Sequence, residues 1–87
     1  MTIKMWGSKL CPDCVHADEL FEKNGMEVEE RSITDSLLYL KEFLKLRETR
    51  EEFAPIKENG SIGIPEFLFE DGTLTFDENV ALEELKR

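Results

Sequence analysis

Two cysteines, Cys11 and Cys14, are separated by two residues in the segment "KLCPDCVHADEL". A cysteine thiolate attacks disulfides and binds metals, so this spacing is typical of a redox centre or of half a metal site. The alternative without chemistry is a pair of structural thiols at the start of a helix. A zinc site needs four ligands, and the segment adds only His16. Five helical residues turn by about 140° beyond one full circle, so His16 should point away from Cys11, and we expect a surface histidine and no metal site.

The two thiols are predicted to differ. Cys11 falls at or near the N-cap of a helix, exposed, where unpaired N–H groups and the helix dipole favour a thiolate. Cys14 lies one turn inside, on an apolar stripe with Ala17 and Phe21, so it should keep its proton longer and attack second. Pro12 fits the first helical position, where its missing N–H costs nothing.

Asp13 places a carboxylate beside the Cys11 thiolate and opposes its ionisation. At about 8 Å in a water-like dielectric this repulsion is roughly 0.5 kcal/mol. A helix terminus contributes up to about 2 kcal/mol, and Lys9 adds attraction of the same order as Asp13 removes. We therefore expect Cys11 to remain an activated thiolate.

Length and charge narrow the class of protein. A chain of 87 residues makes one domain, here residues 1–87, and its net charge of −9 disfavours nucleic acid and anionic membranes as partners. The segment "MTIKMWGSKL" does not resemble a signal peptide, and no apolar run approaches the roughly 18 residues of a membrane span. We expect a cytoplasmic protein and a monomer. Because that compartment is reducing, a structural disulfide is not expected, and the two cysteines indicate catalysis or metal binding.

The elements that must position the cysteines follow from periodicity and from turn residues. Strands are predicted at residues 2–6, 28–32, 66–69 and 73–76, the second at a sheet edge and the last two joined by Asp71-Gly72. The first helix ends at Asn24-Gly25, and the last begins at an Asp77 cap. The order is β-α-β-α-(α)-β-β-α, an α/β fold with a four-stranded mixed sheet and helices on both faces.

Two helical stripes are predicted to form core. In a long middle helix capped by Thr34 and Asp35, the stripe is made of leucines, and a short helical piece with an early Pro55 follows. The residues of these stripes are Leu37, Leu38, Leu40 and Leu44 in the middle helix and Val80, Ala81, Leu82 and Leu85 in the last helix. Trp6 is expected either to wall the site or to join the core.

Ile64-Pro65 stands immediately before the predicted hairpin. A cis bond at this X-Pro pair would expose the backbone of Ile64 beside the cysteines. The alternative is an ordinary proline at the start of a strand.

With these features the chain resembles the glutaredoxin family nearly from end to end, and the resemblance implies a thioredoxin-like fold. The matching residues are Gly7-Ser8-Lys9, Cys11-Pro12-x-Cys14, the Ala17 to Phe21 pattern, Gly25, Gly63-Ile64-Pro65, the "FEDG" hairpin and Asp77.

The resemblance also implies the chemistry. The chain would be a thiol-disulfide oxidoreductase in which Cys11 is the nucleophile and Cys14 the resolving thiol. No cofactor is expected to be tightly bound, and glutathione would be a co-substrate.

Residues that shape the site and bind glutathione follow from the same resemblance. Pro65 would be cis, and Lys9 would bind a glutathione carboxylate. The Ile64 backbone would pair with the glutathione cysteine, and Asp77 would meet its γ-glutamyl end.

The chain departs from the usual family pattern in three places. Asp13 replaces a common tyrosine, and "TLTF" replaces a Gly-Gly pair, so that Thr75 and Phe76 stand where the ligand approaches. About a dozen extra residues precede Pro65. These departures leave the electron donor open between glutathione and a flavoprotein thioredoxin reductase, with disulfide-containing proteins as substrates.

Two further alternatives remain at the level of sequence. Arg47, Arg50 and Lys57 are other candidate cations for a glutathione carboxylate. The rival function is that of an iron–sulfur cluster carrier, in which Cys11 thiolates of two chains and two glutathione thiols hold the cluster.

Overall fold

Four short strands and four helices follow one another in the predicted order, in a computed structural model that describes residues 2–87. A short 3₁₀ turn lies between the second and third helices. The elements are β1 Lys4–Gly7, α1 Pro12–Lys23, β2 Glu29–Ser32, α2 Leu37–Thr49, the 3₁₀ turn Glu51–Phe53, α3 Ala54–Glu58, β3 Glu66–Leu68, β4 Leu74–Thr75 and α4 Glu78–Leu85. Each predicted strand is present, with ends that differ from the prediction by at most two residues.

The strands form one mixed sheet in the order β2-β1-β3-β4. β1 pairs in parallel with β2, since α1 supplies the crossover that parallel neighbours need, and antiparallel with β3. β2 carries charge because it is an edge strand, as predicted. β3 and β4 form the predicted hairpin, whose turn uses Gly72 at a φ of +92°.

Alternation along the strands divides the core between the two faces of the sheet. Met5 and Phe67 pack with α1 and α4, whereas Trp6 packs with α2 and the segment that follows it. Helices therefore cover both faces, as predicted. The buried members of the first cluster are Ile3, Met5, Cys14, Ala17, Phe21, Phe67, Phe69, Ala81 and Leu82, and those of the second are Trp6, Phe43, Phe53 and Leu74.

The predicted cap of α2 was wrong. Ser36, not Thr34 or Asp35, is the N-cap, and its hydroxyl accepts a hydrogen bond from the Tyr39 N–H at 3.3 Å. The side chains of Thr34 and Asp35 instead hydrogen-bond to the hydroxyl of Ser32, the last residue of β2. Those side chains have local partners that sequence alone does not reveal, so the helix starts later.

The leucine stripe predicted for α2 was also wrong at three of its four positions, and the fourth, Leu40, is half-buried. Leu37, Leu38 and Leu44 are 75%, 64% and 43% exposed, whereas Phe43 is buried. Phe43 contacts the Phe53 ring edge-to-face at 5.7 Å. The core face follows the spacing i, i+4, i+7 of Tyr39, Phe43 and Leu46, on the opposite side of the helix, because the larger aromatic surface is the one that packs on the sheet.

α4 follows its prediction at most positions. The Asp77 carboxylate caps it by accepting a hydrogen bond from the Asn79 N–H at 2.8 Å. Ala81 and Leu82 are buried and Leu85 packs against them, but Val80 is 45% exposed and does not face the sheet. Within residues 2–87 no helix is long and apolar enough to cross a membrane.

Candidate functional site

Cys11 lies where a loop turns into α1. It is the N-cap, with extended backbone angles, and its N–H donates to the Ser8 carbonyl at 3.0 Å to close the preceding turn. Pro12 occupies the first turn of the helix, as predicted. The Cys11 thiol is free and half-buried, rather than fully exposed, and its Sγ lies 4.0 Å from the carbonyl oxygen of Ile64.

Cys14 is the buried member of the pair, as predicted, with 1% of its surface exposed. Burial raises the pKa of the Cys14 thiol to about 12, a backbone hydrogen bond from Ser8 opposes the rise, and the nearby Cys11 and Asp18 add to it. Gly7 makes room for this thiol, since a Cβ at that position would lie 2.9 Å from Cys14 Sγ. The structure therefore separates an accessible thiol from a buried one that holds its proton strongly.

The loop before β3 lies beside the cysteines. The Ile64-Pro65 peptide bond is cis, and the Ile64 carbonyl faces Cys11. Gly63 has a φ of +101° and packs against Phe53, so that a Cβ there would meet the ring at 2.6 Å. Sequence analysis identified this segment through its proline, and the fold brings it to Cys11.

A groove of about 720 Å³ begins at this loop and runs along the N-terminus of α4. Its charged residues are all acidic: Asp13, Asp77 and Glu78 line it, and none of the described residues that line it is lysine or arginine. Thr75 and Phe76 line the same groove. The full lining is Asp13, Ile56, Ser61, Gly63, Ile64, Pro65, Thr75, Phe76, Asp77, Glu78 and Asn79.

The residues predicted to bind glutathione are not all brought together. Ile64 and Asp77 line the groove, but Lys9 does not. The Lys9 ammonium is 3.9 Å from an Asp35 carboxylate oxygen, and Lys9 lines a different cavity.

Two of the three alternative cations, Arg47 and Arg50, make other contacts in the described chain. Arg47 donates to the backbone carbonyls of Ser61 and Ile62 at 2.9 and 3.0 Å. Arg50 pairs with Glu52 and donates to the Gly72 carbonyl. These arginines hold loops in place.

A second cavity, of about 210 Å³, lies behind Cys14 between α1 and β2. Asp18 and Glu30 line it, and burial and a hydrogen bond to Glu30 raise the pKa of Asp18 to about 7. Sequence analysis missed both residues, although the spacing of four between Cys14 and Asp18 was a usable signal. The full lining is Met5, Gly7, Ser8, Lys9, Cys14, Asp18, Glu30, Arg31, Ser32 and Asp35.

Glu66 is a further acid that sequence analysis missed, because it was assigned simply to a hairpin strand. Its side chain is fully buried beside the second cluster, and neither carboxylate oxygen has a hydrogen-bond partner in the described structure. Burial raises the pKa of Glu66 to about 8, while Arg50 opposes the rise and Glu52 adds to it.

Two other predicted residues are now placed. His16 is exposed, as expected, and its Nδ1 lies 2.8 and 2.9 Å from the two carboxylate oxygens of Glu78. Trp6 is 3% exposed and belongs to the second core cluster, with the Arg31 guanidinium 5.5 Å from its ring centre.

Across residues 2–87, no three His, Cys, Asp or Glu side chains form a group that could hold a metal ion.

Comparison with known proteins gives one informative relative. The chain is 34% identical over 70 residues to a protein of Haemophilus influenzae (strain ATCC 51907 / DSM 11121 / KW20 / Rd) described as an uncharacterized protein. The alignment covers 80% of this chain and 81% of the relative. No family model and no solved structure matches the chain.

Proposed function

This chain belongs to the same family as that Haemophilus influenzae protein, and we propose that it is a thiol-disulfide oxidoreductase with a thioredoxin-like, glutaredoxin-related fold. It reduces disulfides of proteins, or mixed disulfides of glutathione, through Cys11 and Cys14. The observation that carries the proposal is the asymmetry of the two thiols. Cys11 lies accessible at a helix N-terminus, and Cys14 lies buried one turn behind it.

The first step is attack by the Cys11 thiolate on one sulfur of a substrate disulfide. A new bond forms from Cys11 Sγ to that sulfur, the substrate S–S bond breaks, and the other substrate sulfur leaves as a thiolate. The N-terminus of α1 stabilises the attacking thiolate through its free N–H groups and dipole. The Ile64 carbonyl beside Cys11 gives an extended substrate backbone an acceptor with which to pair.

The second step is attack by Cys14 on Cys11 Sγ. The mixed disulfide breaks, the remaining substrate sulfur leaves as a thiolate, and Cys11 and Cys14 become joined. The substrate has gained two electrons and the protein has lost them. Because Cys14 is buried with its proton, it does not compete with Cys11 for the incoming disulfide.

The groove bears on the choice of electron donor. Glutathione carries two carboxylates and one ammonium group, a net charge of −1, and the groove presents Asp13, Asp77 and Glu78 without a lining cation for the carboxylates. Lys9 is near Asp35, and the guanidinium groups of Arg47 and Arg50 bind protein carbonyls. This charge distribution favours a flavoprotein thioredoxin reductase over glutathione as the donor, since like charges oppose binding.

The test compares turnover of a small mixed disulfide by the intact protein, Cys11→Ser and Cys14→Ser, with each donor supplied separately. We expect the intact protein to turn over with at least one donor and Cys11→Ser to be inactive. Cys14→Ser should accumulate a mixed disulfide that mass spectrometry locates on Cys11. Absence of turnover with both donors, together with an unreactive Cys11, would contradict the proposal.

The cluster carrier remains the alternative proposal, with Cys11 of two chains as protein ligands. Anaerobic reconstitution with iron, sulfide and glutathione tests it. Visible charge-transfer absorption in a dimer would support that alternative, and a colourless monomer would exclude it.

A further inference from the structure

The cavity behind Cys14 presents a carboxyl group to the thiol whose proton must be removed. Cys14 and Asp18 are four residues apart on α1, which places their Cβ atoms about 5 to 6 Å apart on one face of the helix. Both side chains line the cavity of about 210 Å³. A polar space of this size holds several water molecules, at about 30 Å³ each.

The groups around this cavity leave Asp18 free to exchange a proton. Glu30, on the edge strand β2, lines the same cavity and, after burial, is the group that raises the pKa of Asp18. Two cations also line the cavity. Arg31 pairs with Glu29 and Glu42, which lie outside it, and Lys9 lies near Asp35, which lines it as well. Two carboxyl groups without a dedicated cation share a proton most readily, because both cannot ionise without mutual repulsion.

We propose that the Asp18 carboxylate, paired with Glu30, accepts the proton of the Cys14 thiol through water in this cavity as Cys14 attacks Cys11. The proposal rests on the proposed function, since it concerns the second step of that reaction. The Cys14 Sγ–H bond breaks while the bond to Cys11 Sγ forms. The electron pair of the mixed disulfide leaves with the substrate sulfur, which then takes up a proton from solvent.

A proton acceptor is needed because the thiol resists ionisation. Burial raises the pKa of Cys14 to about 12, so at neutral pH its thiolate is a very small fraction. With a pKa raised to about 7, Asp18 is ionised in a useful fraction at the same pH. A base whose pKa lies near the working pH is the most effective one. The rate of the second step should therefore rise as pH increases through about 7 and level off above it.

The two steps can be timed separately with dithiobis-nitrobenzoate, a symmetric disulfide that releases a coloured thiolate. Reaction of Cys11 releases the first thiolate, and attack by Cys14 releases the second. In Asp18→Asn we expect the first phase to be unchanged and the second to be slower by roughly 100-fold at neutral pH, the lower end for a positioned base. Its rate should then rise continuously with pH instead of levelling off above about 7.

Glu30→Gln gives an independent test that also applies should Asp18→Asn not fold. Burial is the larger cause of the raised pKa of Asp18 and remains in this variant, but the contribution of the Glu30 carboxyl group is removed, so the midpoint of the second phase should move to lower pH. Glu19→Gln, an exposed change on the same helix outside the cavity, is the matched control and should leave both phases unchanged.

The proposal is overturned by an unchanged second phase and pH profile in Asp18→Asn, by equal slowing of both phases, or by an unmoved midpoint in Glu30→Gln. These outcomes differ from failure of the proposed function. In that case the intact protein would not release the second thiolate and would form no Cys11–Cys14 disulfide.

Discussion

At the scale of single residues, the least typical feature is a carboxyl group inside the core. Glu66 follows Pro65 directly and is buried without a hydrogen-bond partner. A buried carboxylate is costly, so the group stays protonated in the folded chain and its pKa rises to about 8. In the unfolded chain the same group ionises near its ordinary value.

This difference makes folding stability depend on pH. Below the ordinary pKa, Glu66 is protonated in both states and has no effect. Between that value and about 8 only the unfolded chain loses the proton, so the free energy of unfolding falls as pH rises, and it levels off above about 8. Asp18, with its pKa raised to about 7, acts in the same direction over a lower range.

Glu66→Gln should therefore stabilise the protein at pH 9 and have little effect at pH 4. We expect a gain on the order of a few kcal/mol at pH 9, since each pKa unit corresponds to about 1.4 kcal/mol. Urea unfolding at several pH values measures it. Glu83→Gln, at an exposed position of α4, is the control and should follow the parent at every pH. Parallel pH curves for Glu66→Gln and the parent would contradict the assignment.

At the scale of elements, α2 shows which of two apolar faces forms core. Phe43 is buried and packs edge-to-face on Phe53, whereas Leu38 is 64% exposed. The face of α2 that carries the most leucines is not the face that packs on the sheet. The large aromatic side chain determines the orientation because it buries more surface and fills the space above Trp6.

Phe43→Ala and Leu38→Ala separate these faces experimentally. Phe43→Ala should lower the free energy of unfolding by about 3 to 5 kcal/mol, through lost burial and a cavity. Leu38→Ala, on the exposed face of the same helix, should change it by less than about 0.5 kcal/mol. Chemical denaturation of both variants supplies the measurement, and similar losses in the two would contradict the orientation of α2.

The last helix depends on its cap. Asp77 accepts a hydrogen bond from the Asn79 N–H at 2.8 Å, which satisfies one free donor of α4. Asp77→Ala should cost about 1 kcal/mol of stability, whereas Asp77→Asn keeps the acceptor and should cost little. Thermal unfolding of the pair tests this, and equal losses in both variants would rule out a capping role.

At the scale of the whole molecule, the protein is compact and carries a large negative charge. The radius of gyration is 12.2 Å, close to the roughly 12 Å typical of a chain of this length. The net charge is −9, and three of the acidic residues, Asp13, Asp77 and Glu78, lie in the groove beside Cys11. A negative field around an active cysteine attracts cationic substrates and repels anionic ones.

Peptide disulfides with lysine flanks should therefore react faster than matched peptides with glutamate flanks, by about tenfold at low salt. Added salt should reduce this preference because it screens exposed charges. Asp13→Asn with Asp77→Asn should weaken the preference, while the cap of α4 is retained.

The matched control removes two charges elsewhere. Glu19→Gln with Glu27→Gln changes exposed residues outside the groove, so it should retain most of the preference. Reaction of excess reduced protein with each peptide gives the rates without an electron donor. Equal loss in both double variants would mean that net charge, and not the groove, selects the substrate.

Local pattern determined much of this protein. The order of strands and helices, the hairpin at Gly72, the Asp77 cap and the contrast between Cys11 and Cys14 all follow from spacing and residue type, which act between near neighbours. The approach of Ile64 to Cys11 was expected only for a cis Ile64-Pro65 bond, which the family resemblance implied and the structure contains.

Tertiary structure decided what depends on contacts between distant segments. Three features are of this kind: which face of α2 is buried, the burial of the Glu66 carboxyl group without a partner, and the position of Lys9 outside the groove. Each depends on which surface another element covers. The cavity lined by Cys14, Asp18 and Glu30 also depends on tertiary structure, since residues of α1 and β2 form it together. Sequence spacing specifies which residues share a face, but burial and electrostatics depend on what that face meets in the folded chain.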